Sequence, residues 1–191
     1  MKTRSERRRD VVVLAYQELC LFEFAVAVEA FGLPRPELGP DWYRLRVASL
    51  DPPPLRATSG VTVSVDGGLD LLAEADVIVL PGWKSLVDDP PTELLSALRR
   101  AHERGARLVS ICSGVFALAA TGLLDGLRAT THWKYVDRLQ ARFPAVRVER
   151  DVLYVDEGAI LTSAGSAAGI DLCLHIIRRD FGARDLQKYL H

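Results

Sequence analysis

The chemistry this sequence offers is centred on Cys112. The cysteine separates an apolar run, Leu108-Val109-Ser110-Ile111, from Ser113-Gly114-Val115-Phe116, and the latter spacing predicts a helix with no loop in between. A strand that enters a helix this abruptly needs a sharp, strained turn, and the side chain at its apex is exposed. Gly114 removes a side chain that would crowd that turn. The small residue two positions before the cysteine is Ser110, where the usual pattern has glycine, so the motif match is partial. A thiol at a helix N-terminus faces unsatisfied N–H groups and the positive end of the dipole. Such sites lower a cysteine pKa into the range of about 3.5–7.5. The competing reading is a buried core cysteine.

Three other segments could complete a site. Leu80-Pro81-Gly82-Trp83 ends a predicted strand and leaves a bare backbone N–H at Gly82. Together with the N–H of Ser113 it would hold a developing negative charge; the alternative is an ordinary turn. His132, in Thr130-Thr131-His132-Trp133, stands at a strand-to-helix junction and is the histidine placed to meet Cys112. A histidine in reach would raise the thiolate fraction; the alternative is a helix cap. Glu23 lies between Phe22 and Phe24, so it is either a surface carboxylate or a buried acid able to hydrogen-bond the sulfur. Trp83 and Trp133 would line a pocket or belong to the core. Cys20 and Cys173 sit in predicted helices among apolar neighbours and are expected in the core. No ligand set is spaced for a metal, and no cofactor is expected.

The elements that must position these residues alternate. Continuous apolar runs near positions 11, 77 and 107 read as strands buried on both faces. Alternation predicts further strands at 43–50, 61–65, 129–131, 146–148, 152–155 and 159–162. Helical spacing predicts helices at 18–31, 92–104, 113–120, 133–142 and 166–180, several ended by glycine or proline. This is an α/β pattern with a mostly parallel sheet and helices on both faces. Residues 1–10 read as a disordered basic tail, 11–182 as one domain and 183–191 as a further tail.

Composition narrows the classes. Of the 191 residues 49% are apolar and 26% are charged, a globular mix rather than a disordered one. Lys+Arg (24) and Asp+Glu (25) nearly cancel, which excludes electrostatic nucleic-acid binding by the chain as a whole. No apolar run is long enough for a membrane span. The N-terminus lacks the apolar segment of a secretory signal. Three widely spaced cysteines suit neither a disulfide framework nor a zinc site, so the expected compartment is the cytoplasm.

Val77-Ile78-Val79-Leu80-Pro81-Gly82, Ser110-Ile111-Cys112-Ser113-Gly114 and Thr130-Thr131-His132 resemble the core motifs of the ThiJ/PfpI, class I glutamine amidotransferase-like superfamily. The resemblance covers residues 11 to 182. It implies a flavodoxin-like three-layer sandwich, usually dimeric. It also implies Cys112 as nucleophile, Glu23 as the first-helix acid that hydrogen-bonds it, His132 nearby, and a backbone contribution from Gly82. A narrower similarity is carried by Phe22-Glu23-Phe24, Val28-Glu29-Ala30-Phe31-Gly32, Gly122-Leu123-Leu124-Asp125-Gly126, Ala129-Thr130-Thr131-His132-Trp133, the 162–171 stretch and the 178–182 stretch. These resemble the amino-terminal domain of AraC-family transcriptional activators of the FtrA type, in which a helix-turn-helix domain follows and reads DNA. Residues 183–191 are too few for such a module, on the order of 100 residues. DNA would therefore be met only through a domain that this chain does not hold. Isonitrile hydratases share the GLLDG, RATTHW-like and TAGID-like stretches, although they carry Asp where Glu23 stands.

Two functions follow from the resemblance. One is a homodimeric domain that senses a small molecule for a transcriptional regulator. The other is a cysteine-dependent hydratase or hydrolase in which Cys112 attacks a small electrophile, Glu23 moves the proton, and Gly82 and Ser113 hold the charge. A minor third reading is an oxidation sensor at Cys112.

Overall fold

A computed structural model describes residues 9–183 together with Gln187 and Tyr189. The expected basic tail at 1–8 and most of the expected 183–191 tail lie outside the described residues. In chain order the elements are β1 (Asp10–Ala15), α1 (Leu21–Gly32), β2 (Arg44–Ser49), β3 (Leu55–Arg56), β4 (Thr62–Val63), β5 (Val77–Pro81), α2 (Thr92–Glu103), β6 (Arg107–Ile111), α3 (Gly114–Ala119), β7 (Arg128–Ala129), α4 (Val136–Arg142), β8 (Arg147–Val148), β9 (Tyr154–Asp156), β10 (Ile160–Ser163) and α5 (Ala168–Phe181).

The strand order β2-β1-β5-β6-β10-β9 forms one six-stranded sheet, parallel except for the antiparallel edge strand β9. The apolar runs explain its centre. β1 and β5 are buried at every position, as strands covered on both faces must be. The chain moves from β1 to β2 in one direction and from β5 to β6 in the other. Right-handed crossovers then put α1 and α2 on opposite faces. α1 packs against α5, and α2 against α3. The result is the flavodoxin-like arrangement of three layers.

Several boundaries differ from the sequence reading. β1 begins at Asp10, inside the expected tail, because Asp10 pairs with the Arg44 guanidinium across the β1–β2 pair. The first helix starts at Leu21, not at residue 18. Glu18 has a left-handed backbone (φ 63°) and Cys20 an extended one, so neither is helical. The expected strand at 129–131 is not part of the main sheet. Arg128–Ala129 pairs with β8 in a separate ribbon, while Thr130 and Thr131 bond through their side chains. The 133–142 helix is split into a 3₁₀ turn (Trp133–Tyr135) and α4. The last helix starts at Ala168, because Ser166 also has a left-handed backbone (φ 50°).

Candidate functional site at the carboxyl edge of the sheet

The carboxyl ends of β1, β5, β6 and β10 lie side by side, and four chain segments leave the sheet there. In open parallel sheets this edge is where ligands bind. Cys112 follows β6 directly and has a left-handed backbone, φ 57°. A non-glycine residue held in that region stores about 1–3 kcal/mol of strain. The surroundings hold it in place. The Cys112 N–H donates to Ser163 O at 3.2 Å. The Thr131 hydroxyl donates to Cys112 O at 2.8 Å. Gly114 allows the tight exit, since a Cβ there would stand 2.1 Å from Leu80 O.

Cys112 is only 8% exposed, and Glu23 is equally covered. Glu23 is therefore the buried acid, not the surface one. Burial first, and then the Glu23 carboxylate, push the Cys112 thiol up to about 12. Backbone N–H groups of Ser113 and Ser166 donate to the sulfur and pull the other way. This reverses the expectation of a lowered pKa. α3 is six residues long, so its terminal charge is small, and desolvation and a nearby carboxylate outweigh two N–H donors.

The expected roles of the neighbours change as well. The Gly82 N–H donates to Ile111 O at 3.0 Å, so it is not free to hold an oxyanion. Gly82 serves as a close-packed corner (φ 79°), where a Cβ would meet the Tyr16 hydroxyl and Cys20. The Trp83 N–H donates to Ser113 Oγ, which donates back to Trp83 O, and this latches the β5 exit to the β6 exit. Trp83 is buried, with its ring 5.1 Å from that of Tyr16. His132 Nδ1 accepts the Lys134 N–H at 3.2 Å and caps the 3₁₀ turn. That nitrogen is therefore occupied and cannot take a proton from the thiol. The ring packs closely on Gly165, where a Cβ would stand 1.9 Å from Cδ2.

Four residues without a site role of their own in the sequence reading belong to the site: Tyr16, Cys20, Thr131 and Ser166. Cys20 was expected in the core. It instead precedes α1, is only partly buried, and faces Tyr16 and the Glu23 carboxylate. Its position directly ahead of the helix that carries Glu23 was a usable signal, because a residue at a helix entrance lies beside the first turn. Burial and the Glu23 charge raise the Cys20 thiol too. Cys173, by contrast, is a core cysteine at 1% exposure. Thr131 and Ser166 left no such signal, since their contacts are made by a single hydroxyl and a single N–H.

Beside the turn is a cleft of about 630 Å³. His132, Trp133, Leu153 and Ser166 contribute to its walls, and Trp133 is 79% exposed. A roomier cavity of about 860 Å³ lies between residues 69–73 and α2, away from every nucleophile described here. Chemistry and size disagree, and the smaller cleft is the better candidate because Ser166 reaches Cys112.

The domain model of the DJ-1/PfpI family matches residues 9–179. The chain is 38% identical over 143 residues to the HTH-type transcriptional regulator CdhR of Pseudomonas aeruginosa, covering 74% of this chain and 42% of that one. It is 30% identical over 174 residues to the regulator GbdR of the same species, covering 91% and 47%. The chain thus spans less than half the length of these two regulators. It is also 32% identical over 137 residues to isonitrile hydratase of Pseudomonas putida, covering 70% and 58%. The crystal structure of an AraC family transcriptional regulator from Pseudomonas putida superposes with a TM-score of 0.80 at 21% identity, covering 96% of this chain and 100% of that one, which shows the fold. With a family model matched over nearly its whole described length, the chain belongs to the DJ-1/PfpI family.

Proposed function

We propose that this chain is the ligand-sensing and dimerising domain of a cytoplasmic transcriptional regulator, with DNA read by a helix-turn-helix domain outside residues 9–179. The similarity to CdhR over most of this chain but under half of that regulator carries the reading. The site supports it. Cys112 sits at the apex of a nucleophile elbow, yet its thiol is pushed up to about 12 and stays protonated near neutral pH. Such a group is a poor nucleophile at that pH. The cleft beside it is within the size range of small-molecule sites. Phe22 (52% exposed) and Ile170 (44%) form an apolar surface on α1 and α5, and they supply the dimer face.

Thermal shift against a panel of amino acids and short-chain acids, amides and aldehydes tests the reading. A true ligand at a hundredfold excess over its dissociation constant stabilises the fold by about 2.7 kcal/mol. Leu153→Arg, which fills the cleft, should abolish that shift. A shift that survives Leu153→Arg places the ligand elsewhere.

A second reading rests on the buried Glu23–Cys112 pair and the similarity to isonitrile hydratase. In it, Glu23 takes the thiol proton as the sulfur attacks, and the Ser113 and Ser166 N–H groups hold the developing charge. Turnover of a small isonitrile, lost in Cys112→Ala, would favour it.

A further inference from the structure

The chain leaves α5 at Phe181, turns at Gly182 (φ 90°) and meets the domain again at Tyr189. Both aromatic side chains share one neighbour. Trp42, only 4% exposed, has the Phe181 ring centre 5.0 Å away and the Tyr189 ring centre 5.8 Å away, the latter stacked at 28°. The Trp42 indole N–H donates to Leu33 O at 3.1 Å, which fixes that ring to the chain just past α1. The same stretch supplies Arg35, whose guanidinium carbon lies 4.6 Å from the Tyr189 ring centre. A guanidinium over the face of a tyrosine is attracted to it. Tyr189 also closes one end of a groove of about 460 Å³ between α1 and α5, beside Val26, Glu29, Ala30 and Leu174. Three separate parts of the fold thus converge on one side chain: the residues after α1, the residue pair that opens β2, and the α1–α5 groove.

We propose that the α1–α5 groove is the seat of the chain's own segment after α5, which Tyr189 fastens to Trp42 and Arg35 as a strap, so that the chain has a fixed exit from the domain. α1 then carries three things along its length. Its first turn brings Glu23 to Cys112, Phe22 stands on the groove at the same end, and the strap is held past its last turn. From Phe22 to Ala30 the helix rises about 12 Å. The exit therefore lies beside the proposed dimer face, and two paired copies deliver their following chains next to the interface. The fastening rests on contacts within this chain. Its use, to orient a DNA-reading domain against α1, rests on the proposed function.

The full chain is made with 3-fluorotyrosine and followed by fluorine NMR. The signal lost in Tyr189→Phe identifies Tyr189 among the five tyrosines. In wild type that signal should be displaced from its position in the urea-unfolded chain. It should also relax less than the unfolded signal when a soluble gadolinium chelate is added. Arg35→Ala, checked for folding by circular dichroism, should move the signal towards the unfolded position and raise the released fraction roughly two- to fivefold. Arg178→Ala, on the exposed side of α5, should leave the signal as in wild type. A wild-type Tyr189 signal at the unfolded position, fully open to the chelate, would overturn the proposal. So would an Arg35→Ala spectrum identical to wild type. The wild-type spectrum alone decides the case if Arg35→Ala does not fold. No ligand and no DNA enter the measurement, so an open Tyr189 ends the strap and leaves the sensor reading standing, while an empty ligand screen does the reverse.

Discussion

Replacing Glu23 by Gln removes a charge and keeps the shape, so it isolates what the carboxylate does to Cys112. The thiol is raised by burial and by that charge to about 12, against an ordinary value of 9.0. The folded protein therefore holds a proton that the unfolded chain releases earlier. The associated stability is complete below the ordinary value and is lost as pH rises through the folded one. In wild type, alkylation of Cys112 by iodoacetamide should be slow through neutral pH and rise steeply towards pH 12. In Glu23→Gln the profile should move to lower pH; superimposable profiles would show that the carboxylate does not act on the thiol. Gly114 tests the turn itself. A Cβ at that position meets the Leu80 carbonyl, a backbone group with little room to yield. Gly114→Ala should cost about 1–3 kcal/mol in urea unfolding, and a stability equal to wild type would mean that the turn is slack. Cys112 as the apex residue was legible in the sequence, because a strand running straight into a helix is a local pattern. The direction of its pKa was not, because burial and the approach of Glu23 are set by packing between distant segments.

At the level of elements, the Arg107–Asp180 pair ties the start of β6 to the end of α5. Two guanidinium nitrogens of Arg107 donate to the Asp180 carboxylate at 3.1 and 2.9 Å, and the Tyr43 hydroxyl adds a third bond at 2.6 Å. Burial alone would raise the Asp180 pKa, but bonding and charge from Arg107 outweigh it and hold the group below its ordinary range. The stabilisation is full above that range and is lost as pH falls through the lowered value. Arg107→Ala leaves the Asp180 carboxylate only the Tyr43 hydroxyl and the more distant Arg9 guanidinium, at 3.9 Å, and should cost about 1.5–3 kcal/mol at neutral pH. Chemical unfolding checks this, and a loss below about 1 kcal/mol would mark the pair as a surface ion pair. The central strands were readable because strands covered on both faces must be apolar throughout. The short ribbon of β7 and β8 was not, since two-residue strands carry no periodicity. The start of α1 was misread for a related reason. Apolar spacing continues through residue 19, and only the left-handed backbone at Glu18 and the extended one at Cys20 delay the helix.

At the level of the whole molecule, α1 links two surfaces. Phe22 points outward to the apolar α1–α5 surface, and its neighbour Glu23 points inward to Cys112. A change at the cleft therefore has a short path to the proposed dimer face. Light scattering should give a dimer mass for wild type and a monomer mass for a Phe22→Glu, Ile170→Glu double variant. A dimer that survives both charges would move the interface elsewhere. Among the described residues no helix is long and apolar enough to cross a membrane, and the chain's matched relatives include two transcriptional regulators. In the proposed function a small molecule is held in the cleft beside the Cys112 turn and not consumed there. Ligand-observed proton NMR on the protein mixed with the compound panel reads binding and consumption together. Saturation transfer to a compound is expected in wild type and should be lost in Leu153→Arg, with spectra that stay unchanged overnight. Disappearance of a compound with wild type but not with Cys112→Ala would contradict it.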